Sequence, residues 1–99
     1  MNRTARIRLQ WLIPKDQVVR GEWLSLPARF EHQGEDWTRN AWSLIITVEG
    51  VPDAKGHQFG TASFLMPEAP QDWLSIGRRF TLFHGQAVAE GVVEQVLSD

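Results

Sequence analysis

The stretch GRRFTLFHGQAVAEGVVEQVL, Gly77 to Leu97, holds two extended runs around the turn His84-Gly85-Gln86. Side chains alternate across a strand, so Phe80 and Leu82 share one side of the first run and Arg79, Thr81 and Phe83 the other. In the second run Val88, Glu90, Val92, Glu94 and Val96 follow Gln86 on one side. Ala87, Ala89, Gly91, Val93, Gln95 and Leu97 take the other. Glycine within a short break between alternating runs predicts a hairpin. Gly91 lies inside a strand, where glycine costs stability unless the strand bends or another backbone comes close, so a barrel-corner kink is expected there.

Upstream, Ala5 to Ile13 alternates in the same way, with Ala5, Ile7, Leu9, Trp11 and Ile13 opposite Arg6, Arg8 and Gln10. Pro14 ends the run, because proline cannot donate to a ladder. Val18 to Phe30, broken by Gly21 and Pro27, reads as an irregular edge strand leading into Arg29 and Phe30. Glu31 to Asn40 is a polar loop. Ala41 to Glu49 and Gln58 to Met66 are further strands, rich in β-branched or alternating residues and separated by the turn formers of Gly50 to Gly56. Between Glu68 and Ile76 a single helical turn is expected at Gln71 to Leu74. No window sustains a 3.6-residue period. The chain is therefore expected to be all-β: one domain over residues 1–99, a small closed antiparallel barrel of about six strands.

The 99 residues are 42% hydrophobic and 22% charged, which suits one folded unit with one core. With five Trp, five Phe and no Tyr, most rings are expected in the core. There are no cysteines, so disulfides and thiolate chemistry are excluded. No apolar run approaches the roughly 20 residues of a membrane span, and the N-terminus has no apolar leader segment, so a cytoplasmic protein is expected. The net charge of −2 argues against nucleic acid as a default partner.

Thr61 to Leu97 resembles the third domain of translation elongation factor Tu, a small antiparallel β-barrel. A strand ending in proline (TASFLMPEA) is followed by GRRFTLFHG and QAVAEGVVEQVL, with Gly77, Phe80, Gly85, Val88, Gly91, Val92, Val93, Val96 and Leu97 at the matching positions. Ala5 to Leu12 is similar to that family's first strand, more weakly. The resemblance covers about half the chain and implies the barrel. It does not extend to the translation role. No G-x-x-x-x-G-K-[ST] phosphate loop occurs. The final turn is His84-Gly85-Gln86 where the family has Gly-Gly-Arg, and Leu24 to Ala28 lacks the family's Gly-Tyr-Arg-Pro.

Three histidines, His32, His57 and His84, show no metal-ligand spacing, and solvated loop positions are the plain reading. His84 beside Arg78 and Glu90 is the alternative, as a pH-sensitive contact. None of the serines sits in a G-x-S-x-G elbow. Glu35-Asp36 reads as a solvating pair. The expectation is therefore a protein without catalysis, cofactor or metal. Its surface candidates are Trp37 and Arg39, residue types enriched in binding hot spots and placed here on a connecting loop. For Trp37 itself a lid folded over an open barrel end is the preferred structural reading, and Trp73 reads as a similar plug on another connection. The leading expectation is docking of another protein through Trp37, Arg39, Arg29, His84 and Gln86. Two others stand beside it: RNA binding along a basic edge of Arg3, Arg6, Arg8, Arg78 and Arg79, and a small-molecule barrel lined by Trp rings.

Overall fold

A computed structural model describes residues 2–19 and 21–99. Six strands form: β1 (Thr4–Trp11), β2 (Trp23–Phe30), β3 (Trp42–Val48), β4 (His57–Phe64), β5 (Arg79–Phe83) and β6 (Ala87–Ser98). They close into a barrel in the order β1-β4-β3-β2-β5-β6, every pair antiparallel. β2, β3 and β4 are consecutive neighbours, and β1 returns to the far side of β4 in a Greek-key arrangement. β6 then bridges β5 and β1 and completes the ring. Closure removes most of the unpaired backbone that an open sheet would expose. Short 3-10 turns occupy Lys15–Gln17, Trp37–Asn40 and Gln71–Trp73, the last of them at the expected helical turn.

The alternation of β1 carries straight into packing. Ala5, Ile7, Leu9 and Trp11 are buried, while Arg8 and Gln10 face solvent. The interior is filled by Phe30, Phe64, Leu44, Ile46, Leu74 and Leu82 together with those β1 residues, as expected of so small a barrel. Gln58 is the buried polar side chain among them, and its amide is fully engaged. Its Oε1 accepts from the Trp11 indole at 3.0 Å, and its Nε2 donates to the Glu49 and Gly50 carbonyls at 3.2 and 2.9 Å. The Trp42 indole N–H is buried without a hydrogen-bond partner among the described residues.

Three sequence-based readings need correction. The first concerns β6, whose two sides do not persist along the strand. Leu82 pairs with Ala89 and Phe83 with Ala87, so Val88 is an extra residue, and both Val88 and Ala89 are buried. Ile7 pairs with Val93 but Arg6 with Gln95, which makes Glu94 a second extra residue. Beyond it Val96, opposite Ala5, takes the inward register. Each bulge shifts the pairing by one residue and so exchanges the faces.

The second concerns Val18 to Phe30, which is not an edge throughout. Its strand begins only at Trp23, and it passes from one neighbour to the other at Ala28: Trp23 to Ala28 pairs with β3, and Ala28 to Phe30 pairs with β5. Arg20, inside the expected stretch, lies outside the described residues. The third concerns the rings. Trp11, Phe30, Phe64 and Phe80 are buried, but Trp23 is 64% exposed and Phe59 44% exposed. Both fall on outward positions of their strands, and a narrow interior has few places for large rings.

The register shifts of β6 fall at Val88 and near Glu94 and not at Gly91, where a kink was expected; what Gly91 admits is the close approach of a side chain. Gly91 pairs with Phe80, and a Cβ built on it would lie 2.3 Å from Phe80 Cζ and 2.5 Å from Cε2. The Phe80 ring lies over the bare backbone, an arrangement that compensates a strand glycine with aromatic packing. Gly85 supplies the hairpin's positive φ of 77°, and His84 N–H closes the turn onto the Gln86 carbonyl at 2.8 Å.

Candidate functional site

Because alternate residues face outward, the register lets the outer wall be read row by row. Across β2, β3 and β4 one row runs Trp23, Thr47, Thr61. The next runs Ser25, Ile45, Ser63, and the third pairs Pro27 with Ser43, whose carbonyl accepts from Leu65 N–H. None of these side chains is charged. Trp23 and Leu65, at opposite corners, are 64% and 48% exposed, and Ile45 sits half-buried at the centre.

The other half of the wall is ionic. β1 presents Arg6, Arg8 and Gln10, β6 presents Glu90, Glu94 and Gln95, and β5 presents Arg79 and Thr81. Arg6 marks one border: it pairs with Glu49 at 3.1 Å and lies 5.0 Å over the Phe59 ring. Arg29, opposite Thr81, marks the other. Charge is thus segregated onto one side of a barrel whose net charge is only −2.

The expected protein-binding residues gather near the second border. Trp37 lies against Phe83, ring centroids 4.8 Å apart and tilted by 32°. Phe83 belongs to the outward set of β5, so Trp37 flanks the wall and does not lid a barrel end. The loop is too closely tied back for that: Gln33 accepts from Phe30 N–H at 2.9 Å and donates to the Asn40 carbonyl. Arg29 is half-buried on the same side, and His84 and Gln86 are exposed just beyond Phe83 on the hairpin turn. Arg39 is exposed and shares a surface depression with Trp37, His32 and Trp73.

Trp73 fills the role read for it. It packs against the core, 5.4 Å from the Phe30 ring, and receives His32 edge-on at 4.3 Å. His32, not His84, is the histidine beside Arg78: Arg78 Nη1 lies 2.9 Å from His32 Nδ1. Arg78 is a permanent donor, so His32 Nδ1 is the accepting atom of the pair. The contact joins the polar loop to the start of β5, which no sequence spacing indicates.

The expected basic edge is contiguous, because β1, β6 and β5 are neighbours, but its cations are engaged. Arg3 pairs with Asp99 at 2.5 Å and also donates to the Leu74 carbonyl. Arg6 meets Glu49, and Arg8 meets Glu94 at 3.6 Å. With Arg78 held at His32, Arg79 remains without an ion-pair partner among the described residues. Asp53 anchors the β3–β4 connection: its Oδ1 accepts from Lys55 and His57 N–H, each at 2.9 Å. The His57 N–H bond in particular holds its carboxyl below the ordinary value of 3.8. Among the described residues no three His, Cys, Asp or Glu side chains converge as a metal site requires, and no helix is long and apolar enough to cross a membrane. Searches against protein-family models, curated proteins and solved structures found no match to the chain.

Sequence reading missed the uncharged wall. Its signal was present as the uncharged alternate positions of three strands, but it becomes a surface only when the register sets those positions side by side.

Proposed function

We propose that this chain is a non-catalytic module that docks another protein through the uncharged outer wall of β2, β3 and β4. The observation that carries the reading is the charge segregation. Interface cores are depleted of charge and enriched in aromatic residues and arginine, with a polar rim. Here Trp23, Ile45 and Leu65 supply the apolar contact, and the hydroxyls of Ser25, Ser43, Ser63, Thr47 and Thr61 supply adaptable hydrogen bonds. Arg29, Trp37 and Arg39, with His84 and Gln86 beyond them, border the wall and form its rim. The filled interior favours use of the outside.

The likeness to the third domain of elongation factor Tu belongs to the same proposal. A closed six-stranded antiparallel barrel and the Phe80–Gly91 contact at matched positions support it. Cytoplasmic location is proposed with it.

The test compares baits. Ile45→Asp places a charge at the centre of the wall without touching the core, and Glu94→Gln changes the ionic side. Proteins captured by the wild type are identified and their binding is rebuilt with purified components. A partner lost with Ile45→Asp and kept with Glu94→Gln supports the reading. A partner that binds both variants like the wild type overturns it.

A further inference from the structure

The polar loop Glu31 to Asn40 and the connection Leu65 to Arg78 emerge at the same end of the barrel, and a surface depression of about 300 Å³ lies between them. Trp37, His32 and Trp73 line it together with Asp36, Arg39 and Asn40. Its rings are held from behind: Phe83 backs Trp37 at 4.8 Å between centroids, and Phe30 backs Trp73 at 5.4 Å. Gln33 ties the loop to itself, accepting from Phe30 N–H and donating to the Asn40 carbonyl. The aromatic surface is thus set before anything binds, which lowers the entropic cost of binding. The depression also offers hydrogen-bond donors. Unlike the Trp11 indole, which is bonded to Gln58, the indole N–H groups of Trp37 and Trp73 have no partner among the described residues. Arg39 likewise has no ion pair there. The surrounding charge is negative, because Glu31, Glu35, Asp36, Glu68 and Asp72 on the two connections outnumber Arg39 and Arg78.

We propose that this depression binds a proline-rich segment of another protein in the polyproline II conformation, with a basic residue beside the prolines. Proline rings present flat apolar faces to the indoles. Prolines also carry carbonyl acceptors and no N–H, so they match a site rich in free donors and bring no donor of their own to satisfy. The segment is already extended when free and loses little freedom on docking in an aromatic-lined groove. The carboxylates select against an anionic occupant: a phosphate or an acidic peptide would meet Glu35 and Asp36, whereas a lysine or arginine next to the prolines is attracted. The depression is short and reads about one turn of such a helix, three residues rising about 9 Å. Trp37 and Arg39 also border the uncharged wall, but Trp73 and His32 lie apart from it, so the inference does not rest on the docking reading.

Decaproline with an arginine at each end is the probe, followed through the indole N–H resonances of isotope-labelled protein. The Trp37 and Trp73 resonances are expected to shift and saturate with a dissociation constant between about 10 µM and 1 mM. The Trp11 indole, buried and bonded to Gln58, is expected to stay in place. Trp37→Ala should weaken the probe by about tenfold or more. Trp37→Phe keeps a ring against Phe83 and removes the N–H, and should weaken it by about twofold to tenfold. A Gly-Ser peptide of the same length with the same arginines is expected to bind about tenfold more weakly than the probe, or less tightly still. No shift with the probe at about 1 mM, equal binding of the Gly-Ser peptide, or binding indifferent to Trp37→Ala overturns the proposal. Stronger shifts of the same resonances with oligouridylate overturn it in favour of nucleic acid. Ile45→Asp is expected to bind the probe like the wild type, which separates this result from the docking test; loss of the probe in that variant would assign it to the wall and overturn the site.

Discussion

Gly91→Ala is the most informative single substitution for the barrel. The new Cβ would lie 2.3, 2.5 and 2.9 Å from three atoms of the Phe80 ring. Carbon pairs reach optimal separation at about 3.5–4.0 Å, so the ring or the strand must move by about 1 Å. Phe80 is 2% exposed and lies 5.6 Å from the Phe30 ring, which blocks an easy retreat. Overpacking of this kind costs about 1–3 kcal/mol. Replacing a strand glycine returns about 0.5–1 kcal/mol of backbone entropy. The middle of these ranges leaves a net loss of about 1 kcal/mol, or roughly 4–8 °C in Tm for a domain of this size. Urea unfolding followed by tryptophan fluorescence measures it, with an unchanged m-value showing that the same surface is exposed on unfolding.

Phe80→Leu supplies the control. It removes the ring atoms that meet the new Cβ, so Gly91→Ala should cost about 1 kcal/mol less in that background than in the wild type. An alanine variant as stable as the wild type would refute the reasoning. So would costs that simply add, because the loss would then lie in the strand and not in the contact with Phe80.

Three further outcomes are expected. Gln58→Leu strands the Trp11 indole N–H, while the Glu49 and Gly50 carbonyls near the surface regain water; the loss is about 1–3 kcal/mol by urea unfolding, and a change under 0.5 kcal/mol counts against the network. Asp53 has a depressed pKa in the folded state, so its contribution is present above the ordinary 3.8 and is lost as pH falls through the lower folded value. The Lys55 and His57 amide resonances should therefore titrate with a midpoint below 3.8 and stop titrating in Asp53→Asn; a midpoint at or above it contradicts the assignment. Phe83→Ala should expose Trp37 and shift its fluorescence to the red, with little change in Tm because neither ring is core, and an unmoved emission spectrum would deny the stacking.

The signals legible along the chain are local ones. Period-two alternation in Ala5 to Trp11 and Trp42 to Val48, together with the breaks at Pro14, Gly50 to Gly56, Pro67 and Gly85, sets the strands and the final hairpin. Those signals act over neighbouring residues and need no partner. Which strands became neighbours was settled by ring closure, and from that came everything bearing on the surface. The sides of β6 exchange at its bulges because β1 and β5 impose their own registers on it. Arg6 finds Glu49, and Arg78 finds His32, across long stretches of chain with no local signature. The uncharged wall exists because three strands that each carry a few neutral residues were brought into register, and pairing between distant segments is fixed by closure of the whole ring.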